Sequence, residues 1–138
     1  MKNDQWKQEM IKDLPTRFAL IIAYRFSKHD ISISPLTINR VAQMKEKNPV
    51  VLEKGIIPFY SEWNKKKEYI NQIPPKFNTI LYQKLKAKGI KCSTRQVRYI
   101  LAGENNALDW EVIKVAFEIM GEYDAQLEKL SSLNIATS

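Results

Sequence analysis

Laid over itself with a shift of 59 residues, the chain agrees in character from residue 14 to residue 42 without a gap. Leu14-Pro15 falls on Ile73-Pro74, Arg17-Phe18 on Lys76-Phe77, Ile21-Ile22 on Ile80-Leu81 and Arg25-Phe26 on Lys84-Leu85. Farther on, Ile31, Ile33 and Ser34 fall on Ile90, Cys92 and Ser93, and Ile38 and Val41 on Val97 and Ile100. Only Pro15, Phe18, Ile21, Ile31 and Ser34 match outright, so the agreement is one of apolar and turn positions. Two amphipathic stretches share part of such a pattern by chance; the ungapped Pro, Phe and Ile-x-Ile/Cys-Ser positions argue for a tandem duplication. One inserted residue then carries Leu52, Ile56, Phe59 and Trp63 onto Val112, Ala116, Ile119 and Tyr123. A self-match at a fixed period has to be recognised before the parts are assigned. The expected organisation is a diverged unit over residues 1–71 and a second unit with a trailing helix over 72–138. The joint falls in Asn71 to Pro75, where Ile-Pro-Pro disfavours continued helix.

The period inside each unit is helical. Apolar residues recur three and four apart at Phe18, Ile21, Ile22 and Phe26, at Phe77, Ile80, Leu81 and Leu85, and at Val97, Ile100 and Leu101. Val112, Val115, Ala116 and Ile119 continue the pattern, with Tyr123, Leu127 and Leu130 trailing. Glycine is scarce, at four residues, and strand-like alternation is hard to find. The fold class expected is all-α, with short helices and short connections. Trp6, Met10, Ile11 and Leu14 suggest an N-terminal amphipathic helix packed on the first unit.

Composition narrows the function. A hydrophobic fraction of 44% and a charged fraction of 27% are globular values. The single Cys92 cannot form an internal disulfide, and with the single His29 it leaves almost nothing for a Cys/His zinc site. Cys92 reads as apolar filler at an inward-facing turn position. No Walker loop, dinucleotide glycine pattern or metal-ligand run is present, so no cofactor is expected. His29 beside Asp30 has no accompanying nucleophile, and an enzyme is the least expected class. The longest apolar run, Phe18 to Tyr24, is far too short to span a bilayer, and no membrane partner is expected. The N-terminal MKNDQWKQEM is polar without a signal-peptide core. The expected location is therefore cytoplasmic, or the chain is carried by a phage. With 22 Lys and Arg against 15 Asp and Glu, the chain bears a net +7, which favours a polyanionic partner.

The second unit holds the most specific signal. Phe77 to Lys88 reads as a helix ended by Gly89, which suits a left-handed C-terminal cap. Ser93 is a good N-cap, and Gln96 three residues on completes a capping-box pattern. The helix that follows, Thr94 to Ala102, is stopped by Gly103. The stretch GIKCSTRQVRYILAG, residues 89–103, resembles the helix-turn-helix superfamily in its broad Cro/repressor style. Its turn is about two residues longer than the shortest repressor-type turn. ENNALDWEVIKVAFEIM, with an Asn-rich loop ahead of an amphipathic helix, resembles the same small bacterial and phage regulators. The resemblance covers residues 76–123 well and 17–63 weakly.

What the resemblance implies is double-stranded DNA as partner, and a small transcriptional regulator whose second helix enters the major groove. Thr94, Arg95 and Gln96 would sit at the exposed helix start, Arg95 suited to guanine and Gln96 to adenine unless the capping box holds it. Arg98 and Tyr99 would read bases or hold phosphates, and Lys88 and Lys91 would flank the turn as backbone contacts. Charge is segregated accordingly: residues 76–98 carry seven basic and no acidic residues, and residues 104–129 carry seven acidic residues and two Lys.

The first unit has diverged. Ser34-Pro35 is a strong helix start, but Leu36 replaces Arg95 and Asp30 replaces Gly89. Thr37, Asn39 and Arg40 remain available to DNA, Lys45 and Lys47 follow, and Lys65-Lys66-Lys67 comes after Trp63. Pro58 is expected to break the following helix, restarting it at that residue. This unit either binds DNA with less base specificity or binds protein. Two units acting together would meet half-sites about 34 Å apart on one DNA face. Otherwise the second unit alone binds DNA and the chain self-associates. The alternative class is a protein-binding adaptor or assembly component, with Leu36, Phe59, Tyr60 and Trp63 as contacts. A third class, single-stranded nucleic acid, would use Tyr82 and Tyr99.

Overall fold

Short polar side chains at Ser34, Ser93 and Asp109 take up free backbone N–H groups at three helix starts. The computed structural model describes Glu9, Leu14 and residues 17–65 and 73–137, with side chains to residue 130. Trp6, Met10 and Ile11 of the expected N-terminal helix lie outside the described residues, as do Lys66 and Lys67. The chain is all-α, and no strand occurs among the described residues. Helix α1 spans Phe18–Ser27, α2 Pro35–Ala42, α3 Ile57–Lys65, α4 Phe77–Ala87, α5 Thr94–Ala102 and α6 Trp110–Thr137. A π-helical stretch, Val51–Ile56, leads directly into α3.

Local backbone geometry recurs along the chain. Arg17, Asp30 and Met44 adopt left-handed conformations with φ of 69°, 60° and 62°, and 59 residues later Lys76, Gly89 and Gly103 do so with 59°, 73° and 71°. The turn hydrogen bonds recur too. Asp30 N–H donates to the Ser27 carbonyl and Ile31 N–H to that of Phe26; Gly89 donates to Lys86 and Ile90 to Leu85. Met44 donates to Val41 and Lys45 to Arg40; Gly103 donates to Ile100 and Glu104 to Tyr99.

At the next helix caps the offset is 61 residues. Asn48 Oδ1 accepts from the Val51 N–H, and Asp109 Oδ1 from the Val112 N–H. The two caps align Val51 with Val112, both buried, while beyond the π-helical stretch the expected pairs Ile56 with Ala116 and Phe59 with Ile119 are buried as well. Pro58 does not interrupt the helical run, but the helix type changes within one residue of the restart expected there. The π-helical stretch ends at Ile56, immediately before α3, and Pro58 is its second residue. Wider π turns rearrange the carbonyls a proline ring would otherwise strike and absorb its missing N–H.

Helix α1 is the hub. Ala19 to Tyr24 and Phe26 are all buried, as expected of a helix enclosed on all sides. It packs against α2, α5 and the π-helical stretch, while α6 packs against α4 and α5. The Tyr24 hydroxyl donates to Asp124 Oδ2 on α6 at 2.6 Å, and Lys28 reaches the same oxygen at 3.2 Å. Burial first, and then the bond to Asp124, push the Tyr24 hydroxyl well above its ordinary pKa.

The two second helices, α2 and α5, touch head to tail. Gly103 at the C-terminal end of α5 lies against the Pro35 carbonyl at the start of α2. Asn39 Nδ2 donates to the Gly103 carbonyl at 3.0 Å. The reciprocal contact is absent among the described residues: Met44, the counterpart of Gly103, is 38% exposed, and Thr94, the counterpart of Pro35, is exposed. One second helix is thus covered at its start and the other is open.

Candidate nucleic-acid interface

The open helix is α5. Ser93 Oγ accepts from the Gln96 N–H at 3.1 Å, and Gln96 Oε1 accepts from the Ser93 N–H at 3.2 Å, so the capping box is closed on both sides. That fixes where the helix begins. Val97, Ile100 and Leu101 then anchor its inner face, each worth about 1.5–3 kcal/mol on full burial. The geometry leaves Thr94, Arg95, Gln96 and Arg98 exposed on the outer face and Tyr99 half-buried beside them.

These side chains form a small array. Arg95 Nε donates to the Tyr99 hydroxyl at 3.4 Å, and the Arg98 guanidinium carbon lies 5.8 Å from the centre of the Tyr99 ring. Tyr99 therefore spaces two guanidinium groups along one edge of the helix. The terminal nitrogens of Arg95 are free of that bond, so its planar fork can still meet a two-acceptor edge. Gln96 is different. Its Oε1 serves the capping box and lies 3.4 Å from Ser93 Oγ and 3.7 Å from Cys92 Sγ. A bidentate pairing with adenine needs both ends of the amide and would dismantle the box. Burial, then Asp109, raise the Cys92 thiol above its ordinary pKa, away from nucleophilic chemistry.

Electrostatics divide by face. Lys84 pairs with Glu122 at 3.1 Å and Lys88 with Glu118 at 3.8 Å, both across the α4–α6 contact. The acidic helix thus offsets part of the cationic segment, and Lys88 is partly engaged before any partner arrives. Lys91, Arg95 and Arg98 form no ion pair among the described residues.

Helix α2 is built the same way and is not available in the same way. Ser34 Oγ accepts from the Thr37 N–H at 3.1 Å, and Ser34 is only 4% exposed. The Thr37 hydroxyl lies 3.2 Å from Ser34 Oγ, Asn39 caps Gly103, and Arg40 reaches Asn106 Oδ1 at 3.3 Å and Glu46 at 3.4 Å. The polar groups of Thr37, Asn39 and Arg40 are committed to the chain itself, and the second unit's loop lies over this helix. Since α2 and α5 are in contact, they are not two readers about 34 Å apart. Of the residues expected to form a protein-binding surface, Phe59 is 1% exposed, Leu36 is half-buried, and Tyr60 and Trp63 are half-buried against the core.

Sequence reasoning missed Arg17 and Asn78. Arg17 Nη2 donates to Asn78 Oδ1 at 2.6 Å, and its guanidinium carbon lies 5.4 Å from the centre of the Phe77 ring. The 59-residue offset sets Arg17 against Lys76, but nothing local in the sequence brings it to α4. No helix among the described residues is long and apolar enough to cross a membrane. No protein-family model, curated protein or solved structure matches the chain.

Proposed function

We propose that the chain binds double-stranded DNA, as a small regulator that enters the major groove with the N-terminal half of α5. The observation that carries this reading is the contrast between the two second helices. One is covered at its start by Gly103, and the other presents Thr94, Arg95 and Arg98 on an exposed, firmly capped turn. Arg95 is the candidate base contact, Arg98 and Tyr99 extend the same edge, and Lys91 and Lys88 are the candidate backbone contacts. One chain would read one half-site, and a two-part site would require two chains.

The test is retention of a random-sequence duplex pool by the purified chain across salt, followed by sequencing of what is retained. The expected outcome is binding that falls steeply with salt and an enriched short motif. Arg95→Ala should cost about 1–3 kcal/mol and relax the motif at one base pair. Unchanged binding by that variant would refute α5 as the reader.

A second reading, a protein-binding adaptor, draws on the first unit's surface. Ile31, Met44 and Val50 are exposed there, Val50 at 51%, and a groove of about 590 Å³ runs between α1 and α3 past Phe26, Ile31 and Pro58. Absence of duplex binding at low salt would move the reading there.

A further inference from the structure

Beside α5 lies a cleft of about 280 Å³ walled by three arginines from two parts of the chain. Arg95 and Arg98 come from α5 itself, and Arg17 comes from the residue before α1. Asn78, Tyr82 and Thr94 complete the polar lining, and no carboxylate lines the cleft among the described residues. We propose that this cleft seats one phosphate group of the DNA backbone, with Arg17 as the innermost donor. The inference rests on the DNA reading above and adds a contact from the first unit to it.

The geometry supplies what a phosphate needs. Asn78 Oδ1 accepts from Arg17 Nη2 at 2.6 Å and so holds the guanidinium in one orientation, while Phe77 lies beneath it. A guanidinium has five N–H donors, so that bond leaves others to offer. The Tyr82 hydroxyl donates to the Thr94 carbonyl at 3.3 Å, which ties the wall of the cleft to the first turn of α5. Burial pulls the Arg17 pKa below its ordinary value, with Tyr82 acting the other way, yet an arginine stays protonated in proteins. A partly buried cation whose partners among the described residues are a neutral amide and an aromatic ring gains from an incoming anion, and a bidentate arginine–phosphate pair is among the stronger charged hydrogen bonds. The carbonyl of Asn78 positions Arg17 and does not itself favour the anion. The first unit, whose own second helix is covered, thereby contributes to binding through its leading residue.

The experiment is a duplex titration of the full chain over a range of salt, comparing wild type with Arg17→Gln and using duplexes in which one phosphate at a time is a neutral methylphosphonate. The expected result is an affinity lowered about tenfold for every sequence alike, with the salt slope reduced by about one. One methylphosphonate position that weakens wild type should have no further effect on Arg17→Gln. A merely structural role for Arg17 would not produce that position-specific loss. Arg98→Gln, at an exposed position, carries the same test should Arg17→Gln fail to fold. If wild type binds duplex but neither variant changes the slope or silences a phosphate position, the cleft proposal is overturned and the DNA reading stands. If wild type binds no duplex, both are overturned.

Discussion

Two glycines with the same backbone conformation should respond differently to alanine. Gly89 and Gly103 both sit in the left-handed region, with φ of 73° and 71°. An alanine there costs roughly 1–2 kcal/mol in backbone strain, offset by about 0.4–1 kcal/mol from the stiffer unfolded chain. At Gly89 nothing lies within 4 Å of the added Cβ, so Gly89→Ala should cost about 1 kcal/mol in all. At Gly103 the same Cβ would lie 2.3 Å from the Pro35 oxygen, 2.6 Å from its carbonyl carbon and 2.8 Å from the Leu36 nitrogen. Those are backbone atoms in the first turn of α2, which Ser34 caps, so they cannot rotate aside. The helix would have to retreat until carbon and oxygen stand about 3.3 Å apart. That would break the Asn39–Gly103 bond, worth about 1 kcal/mol, and loosen buried Ile38 and Val41. The expected total for Gly103→Ala is on the order of 3–5 kcal/mol. Urea unfolding of both variants, compared at constant m, reads the difference. Equal costs at the two positions would refute the packing of α5 against α2, and with it the account of why only one second helix is open.

Two further outcomes bear on the frame around the site. Ser93→Ala removes the capping box and should cost about 1 kcal/mol in urea midpoint measurements; no measurable cost would mean that the exposed turn is not fixed as described. Tyr24→Phe should cost about 1.5–3 kcal/mol at neutral pH through loss of its bond to Asp124. Because folding raises the Tyr24 pKa, that stabilisation is fully present below the unfolded value of about 10 and fades as pH rises toward the folded one. The gap between wild type and Tyr24→Phe should therefore narrow above about pH 10, and a gap constant to about pH 11 would contradict the assignment.

The parts of this fold that were legible in the sequence are those fixed within a few residues. Ser93 with Gln96, Gly89, Gly103 and Ser34-Pro35 each act on their own turn, and the helices they bound appear where their spacing places them. The proline rule at Pro58 places a new α-helical start within one residue, but not the π turns that the chain inserts ahead of it. The apolar spacing of Leu52, Ile56 and Phe59 does not reveal the π turns, and the 61-residue offset of the caps at Asn48 and Asp109 was not legible from it. The candidate site divides the same way. Exposure of Arg95 and Arg98 follows from helical periodicity, but the engagement of Asn39 and Arg40 comes from Gly103 and Asn106, more than 60 residues away along the chain. The approach of Arg17 to Asn78 is equally long-range.

The central claim is that one second helix meets DNA and the other does not. Amide chemical shifts of the isotope-labelled chain, followed while a short duplex is added, test it most directly. The account predicts that perturbations gather at Lys91 to Tyr99 and leave Pro35 to Ala42 unmoved. Perturbations centred on Pro35 to Ala42, or none on Thr94 to Tyr99 at low salt, would contradict it.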